Sequence, residues 1–503
     1  MRFSLSMRSP LFFWVMMSCA MLLGEGLQAR PGNAGERYYE FTPPAQAIYR
    51  DIFDLELDAA QTGIDKFRSV YPTNLAAEHL ESYLDFFRLY LSGNERLDTE
   101  LEARFDRRQE RLEQGDESSP YYNYILAENY LHRSLMDLRF ERHLAAFRNL
   151  NRANKLLRDN AKRFPDFLLN YKDLGLLHAA IGSIPPSYKW GVELFSSLSG
   201  TIAEGQAEMR QALLDKQSPF YLETAVLAAF LELHLADNPA KAYRMINELK
   251  LRPSESGLDC FVKANLAMHH GRNDEAMRIL EAQPRGGTAA DFPYLDFMLG
   301  LAKIRALDPL ARIHFQSFNL RYPGRHFKEE AQQKIAWSYL LQSNSTAYRK
   351  AMLDIEGGSK AGGDQNATRE AAADRPPHLG LLRARLLFDG NYCTRALAQL
   401  NAIEQNQLSP DEQLEFTYRT GRVHEGLNDY ESALSFYNQT VRTGRDNPAY
   451  FACKSALQAG LVEEKRGNKA RAAEHFETCL NISPAEYRTG LHLLANAALN
   501  RGR

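Results

Sequence analysis

The chain has 503 residues, with 61 Lys and Arg against 63 Asp and Glu, and a formal net charge of −2. A balance that close removes the electrostatic case for nucleic acid or an anionic membrane as partner. Apolar residues make up 44% and charged ones 25%, an ordinary globular composition in a chain long enough for several domains or one long repeat array.

The first 29 residues stand apart. Arg2 and Arg8 precede the apolar run LFFWVMMSCAMLLG, and GLQA ends on a small residue, Ala29. A charged start, a short apolar core and a small residue for cleavage form the pattern of a secretory signal peptide, so residues 1–29 are expected to be removed on export. The run from Leu11 to Leu23 is short for an uncleaved anchor. Cys19 follows MMS as at a lipoprotein site, but apolar residues continue where a polar tether should begin. No later stretch reaches the roughly 18 apolar residues of a membrane span, so the mature chain is expected to have none.

Residues 30–356 read as an irregular array of helical hairpins. Ala60, Ile64 and Pro72 mark a second helix: a small residue, a large apolar one a turn later, and a proline that stops the helix. Ala153, Leu157 and Pro165 repeat it. Ala242 with Ile246, then Ala264, Ala276 and Leu280, then Gly300, Ala311 and Phe315 follow, with LADNP and HHGRND as turns. GGSKAGGDQNATREAAADRPP (357–377) reads as a flexible linker with a short helix in NATREAAA. It lacks the Gly-Lys-Ser/Thr ending of a phosphate loop.

From 378 the array is more regular. Ala384, Ala396 and Leu400 lead to the two clearest copies, Gly421, Ala433, Tyr437 and Gly460, Ala472, Phe476, with Pro484 closing the second. A small residue in the first helix lets the second approach, a small residue meets it there, and the aromatic fills the gap beside the contact. GLND and RGNK supply turns whose Asn and Gly tolerate left-handed backbone. TGLHLLANAALNRGR reads as a final capping helix, with His492 packed or solvated.

One repeat is interrupted. Gly175 and Gly205 look like the small residues of one hairpin, yet they lie much further apart than the paired small residues of the clear copies. The extra residues fall in GSIPPSYKWGVELFSSLSG (182–200). Its two prolines end one helix, and Trp190, Leu194 and Leu198 can line a short inserted helix, with Tyr188 and Phe195 beside it. The insertion either covers the solenoid or presents an apolar helix to a partner.

The small–small–aromatic–proline pattern resembles the tetratricopeptide repeat. That resemblance implies an all-α, right-handed superhelical solenoid of antiparallel helix pairs, here about eight to ten hairpins. Gly175, Gly182, Ser183, Pro185, Gly200 and Gly205 follow an order similar to that in the tetratricopeptide-repeat-39 family, which includes yeast inclusion-body-clearance proteins. This second resemblance implies an adaptor without catalysis, sometimes linked to lipid handling. Those relatives work inside cells, whereas this chain carries an export pattern, so their cellular role does not transfer. Similar repeat proteins are common in Bacteroides-type bacteria, where periplasmic or outer-membrane placement fits the leader.

No His-Glu-x-x-His, Gly-x-Ser-x-Gly or Cys-x-x-Cys occurs, and the adjacent His269 and His270 point apart on a helix. No catalytic residue, metal ligand or cofactor is therefore assigned. Facing residues of antiparallel helices have a nearly constant number sum, and Cys453 with Cys479 matches that of Gly460 with Ala472. The two cysteines are expected opposite each other, as a disulfide or as two packed thiols. Helical stepping along the last two first helices gives Glu415, Tyr418, Arg422, Lys454 and Leu457 as groove lining. These residues, with Tyr188, Trp190 and Phe195, are the candidate contacts of an exported scaffold for a protein or peptide segment. The alternative is a solenoid that holds a glycan or lipid near the insertion.

Overall fold

The computed structural model describes residues 37–184, 198–284, 292–359, 361–373 and 375–502. The expected leader 1–29 and the insertion aromatics Tyr188, Trp190 and Phe195 lie outside them.

The described residues form an all-α, TPR-like solenoid. Its helices pair as α1 Pro43–Phe53 with α2 Leu57–Val70, α3 Ala76–Ser92 with α4 Glu95–Leu112, and α5 Pro120–Arg139 with α6 His143–Arg163. Next come α7 Asn170–Gly182 with α8 Ile202–Ala212, α9 Tyr221–His234 with α10 Pro239–Asn247, and α11 Gly257–His269 with α12 Asn273–Glu281. Then α13 Tyr294–Arg305 pairs with α14 Ala311–Arg321, and α15 Lys328–Leu341 with α16 Ser345–Leu353. After a lone α17 Gly362–Ala371 follow α18 Leu379–Asp389 with α19 Cys393–Asn401, α20 Pro410–Gly426 with α21 Tyr430–Gly444, and α22 Phe451–Lys465 with α23 Lys469–Leu480. The last helix is α24, Arg488–Gly502. Setting α17 and α24 aside, the other twenty-two of twenty-four helices make eleven hairpins among the described residues, one above the expected range.

The small–large spacing marks the core of each second helix. Ala60 and Ile64, Ala153 and Leu157, Ala242 and Ile246, Ala276 and Leu280, Ala311 and Phe315, Ala396 and Leu400, Ala433 and Tyr437, and Ala472 and Phe476 are all at most 2% exposed. Ten hairpin turns carry one residue at positive φ, among them Gly93, Gly271, Asn391, Asn428 and Gly467. Less expected hosts are Leu55 and Leu307, whose left-handed backbone costs about 1–2 kcal/mol. Burying a leucine side chain returns a similar amount, and Leu55 is fully buried.

Two hairpins escape the spacing rule. In α3–α4 charge replaces the small–large contact: Arg104 reaches Glu81 at 3.0 Å and Asp85 at 3.3 Å, and Arg108 pairs with Asp85 in the interior. In α15–α16 the second helix buries Tyr348, Ala351 and Met352.

The segment 357–377 is not a free linker. Its helix α17 docks on α15, where the Asp364 carboxylate accepts the backbone N–H groups of Phe327 and Glu330, each at 2.8 Å. Asp364 thus satisfies N-terminal donors of α15 from outside the helix. Glu370 accepts Trp337 Nε1–H at 2.7 Å and the Tyr348 hydroxyl at 3.0 Å. At the end of the chain, α24 buries Leu491, Ala495 and Ala498 against the last pair, and His492 packs with Nε2 2.8 Å from the Ile482 carbonyl.

The array winds onto itself. The first hairpin touches the fifth, where Tyr49 Oη donates to Glu223 at 2.7 Å and Arg252 reaches Asp54 at 3.1 Å. The third touches the seventh through Arg139 and Tyr322, and Asn391 Nδ2 donates to the Gly271 carbonyl at 3.2 Å. First helices in the N-terminal half are therefore buried nearly all round, α9 continuously from Leu222 to Leu233. No helix among the described residues is long and apolar enough to cross a membrane.

Candidate functional site

Each first helix turns one face inward, and the two halves of the array use that face differently. In the N-terminal half, single charges inside apolar runs converge. Lys172 of α7 is fully buried, with Nζ 2.6 Å from Glu128 of α5, 3.2 Å from Glu223 of α9 and 3.7 Å from Asp173. His79 of α3 bridges Glu128 and the Tyr39 hydroxyl. Tyr83 Oη lies 2.9 Å from Glu128 and 3.2 Å from Glu223.

Burial alone would raise the Glu128 carboxyl, but the Lys172 ammonium and His79 hold it well below the carboxylate range. Burial would likewise strip Lys172 of its proton; Asp173, Glu128 and Glu223 outweigh it and drive its pKa up. Burial wins at Asp173, which is raised well above its ordinary value. His132 beside this cluster is pushed down to about 3 by burial and is neutral. With Tyr49 of α1 donating to Glu223, the cluster joins five helices and is shut off from solvent. It sets the relative positions of helices rather than offering groups to a substrate.

In the C-terminal half the inner face carries three cations that carboxylates meet unequally: Asp389 lies near Arg385 and Glu425 near Arg422, while Lys454 has no ion pair among the described residues. Arg385 of α18 lies over the Trp337 ring at 5.0 Å, and Arg422 of α20 over Phe388 at 5.0 Å. Arg422 Nη1 donates to Tyr418 Oη at 3.2 Å, while its Nε has no hydrogen-bond partner and sits 3.6 Å from Glu425. Lys454 of α22 is buried and makes no ion pair among the described residues; burial, aided by Arg422, pushes it down to about 8.

The nearby carboxylates are largely engaged elsewhere. Glu415 pairs with Arg419. Glu425 accepts Tyr437 Oη at 2.6 Å and Gln458 Nε2 at 3.0 Å, with Lys465 at 3.4 Å. Burial raises Glu425, but Arg422 with these donors brings it below its usual range. Asp389 adds a further negative charge near Arg385.

Tyr418 and Lys454 are buried, Tyr418 packing with Ala433 and Tyr437 and bonding Arg422, while Glu415 is half-buried beside Arg419. Leu457 is a core residue instead: it is 1% exposed and packs with Ala456 and Phe476 in the terminal core. Cys453 and Cys479 lie opposite each other as expected, both buried, with Sγ atoms 3.4 Å apart as thiols. Sequence reasoning missed Lys172, Glu128, Glu223 and His79. The available signal was one or two charges inside an otherwise apolar helix, as in NYILAENYL, NYKDLGLL and YLETAVLAAF.

The glycines of the interrupted hairpin have a physical role. A Cβ on Gly205 would lie 2.2 Å from the Gly175 carbonyl oxygen, and one on Gly200 2.5 Å from His178 Cα. Two backbones touch here, which only glycine permits.

No protein-family model matches the sequence, and no curated protein does. Among solved structures, the human IFIT1 dimer with PPP-AAAA is similar at 13% identity and TM-score 0.32, covering 88% of this chain and 91% of that one. The APC/C hetero-tetramer Cut9–Hcn1 is similar at 12% identity and TM-score 0.25, covering 92% and 99%. A crystallised TPR domain matches at 15% identity and TM-score 0.20, covering 81% and 98%. Likenesses this distant say nothing of function, and the description of the fold rests on the helix pairs themselves.

Proposed function

We propose that this chain is an exported, non-catalytic scaffold whose C-terminal hairpins hold an acidic protein or peptide segment at the bacterial cell envelope. One observation carries the reading: Arg385, Arg422 and Lys454 stand on three successive first helices, flanked by aromatic rings, without a carboxylate to neutralise Lys454. A carboxylate-bearing segment along this face would supply the charge that Lys454 lacks. Arg2, Arg8 and the apolar run behind them support export.

The test is affinity capture from the envelope of the native host, with the wild type and an Arg385→Glu, Lys454→Glu variant run side by side. A protein recovered by the first and lost by the second, with circular dichroism unchanged, is the expected outcome. Retention of a lipid or glycan, with no protein, would overturn the scaffold reading in favour of a ligand-binding solenoid.

A further inference from the structure

The geometry points to a divalent-cation site of the zinc class at His178, Glu204 and Glu208. His178 lies in the last turns of α7, and Glu204 and Glu208 are one turn apart near the start of α8. His178 Nδ1 is 2.7 Å from Glu208 Oε2 and 3.6 Å from Glu204 Oε1. The three ligand atoms all fall within 4.8 Å of one another.

A plain histidine–carboxylate pair accounts for only part of this. Nδ1 can carry one proton, and that proton serves one carboxylate. A second carboxylate converging on the same nitrogen gains little from it, and two glutamates at i and i+4 repel. A dication between them removes both objections. With metal–nitrogen and metal–oxygen bonds of about 2.0–2.2 Å, tetrahedral ligands stand about 3.4 Å apart. The two observed distances, 2.7 and 3.6 Å, bracket that separation, so small side-chain rotations suffice.

The backbone beneath is fixed. Gly175 against Gly205, and Gly200 against His178, leave no room for the helices to slide, so the ligands are held on rigid elements. His178 is 8% exposed at its side chain, Glu208 14% and Glu204 49%, which gives an ion a protected seat with an open side. Three protein ligands leave a fourth position for water or another donor. The cluster is invisible along the chain, because His178 and Glu204 are brought together only when the hairpin closes across the insertion.

The experiment uses the purified mature chain, stripped with a chelator and titrated with Co²⁺ and then Zn²⁺. The expected result is one equivalent bound, visible Co²⁺ absorption bands lost on adding Zn²⁺, and a raised melting temperature. Glu204→Gln changes an exposed side chain and should fold normally while weakening binding at least about tenfold. His178→Ala should abolish the bands. Failure of the wild type to bind either ion, or undiminished binding by a folded Glu204→Gln, Glu208→Gln double variant, overturns the assignment.

Discussion

Two lysines occupy comparable places, on the inward face of a first helix, in opposite surroundings. Lys172 in α7 has two glutamates within 3.2 Å and an aspartate at 3.7 Å. Lys454 in α22 has no ion pair among the described residues, and Arg422 is its strongest charged influence. Burial disfavours the ammonium in both. Three carboxylates reverse that at Lys172 and drive its pKa up, whereas Arg422 reinforces it at Lys454, which falls to about 8. Charge closes the N-terminal half upon itself, whereas the C-terminal half buries Lys454 without an ion pair among the described residues.

The largest effect should come from breaking the first of these. Lys172→Ala leaves Glu128 and Glu223 buried without their cation, a loss expected to destabilise by about 3–5 kcal/mol. Lys454→Met should be neutral or slightly stabilising, since it removes a desolvated charge and keeps the volume. Urea midpoints for the two variants decide this. Similar losses at both sites would mean that the two surroundings are not energetically different.

The next effect tests whether the C-terminal half is also held covalently. Cys453 and Cys479 face each other with sulfurs 3.4 Å apart, and export would place them in an oxidising compartment. Protein recovered from the periplasm, denatured without reductant, should then show two fewer free thiols than after reduction. The bridge should stabilise the last hairpin by about 2–3 kcal/mol. A full thiol count would remove this lock and weaken the case for an oxidising destination.

Glycine contacts give a finer comparison between the halves. At Gly205 the obstacle to a Cβ is the Gly175 carbonyl at 2.2 Å; at Gly460 it is the Phe476 ring at 2.4 Å. A ring can tilt, while a helix backbone fixed by its own hydrogen bonds cannot. Gly205→Ala should therefore cost more than Gly460→Ala, with both inside the roughly 1–3 kcal/mol range of overpacking. Equal melting-temperature losses would show that the α7–α8 backbone contact is softer than drawn.

Much of this was legible in the sequence, for a physical reason. A small residue followed by a large one a turn later is a local pattern, and the helix period turns it directly into a buried stripe, as at Ala276 and Leu280 or Ala472 and Phe476. Asn428 and Gly467 were readable as turn residues because their backbone preferences are intrinsic. Leu55 and Leu307 were not, since tertiary burial overrides theirs. Hairpin α3–α4 was missed because Arg104 and Arg108 replace the small–large contact with charge, and charge leaves no helical volume pattern. The Lys172 cluster was missed for a different reason. Its partners are 44 and 51 residues away in sequence, and only the tight winding of the array brings them together.

The most specific effect bears on Lys454 itself. Its ordinary pKa is 10.5, and in the folded chain it is about 8. Between those values the unfolded chain still holds the proton and the folded chain has released it. The unfolded state then binds more protons, so this group makes stability rise with pH across that window. Below about pH 8 both states are protonated, and the group contributes no slope. Other groups titrate in the wild type and in Lys454→Met alike, so the difference in urea midpoint between them isolates this lysine. That difference should move in favour of the wild type from pH 7.5 towards pH 10. An acidic peptide seated on the Arg422–Lys454 face would restore the ammonium and abolish the trend. A pH-independent difference without peptide would mean that Lys454 is solvated after all, and that the two halves of the array do not differ in how they hold their charge.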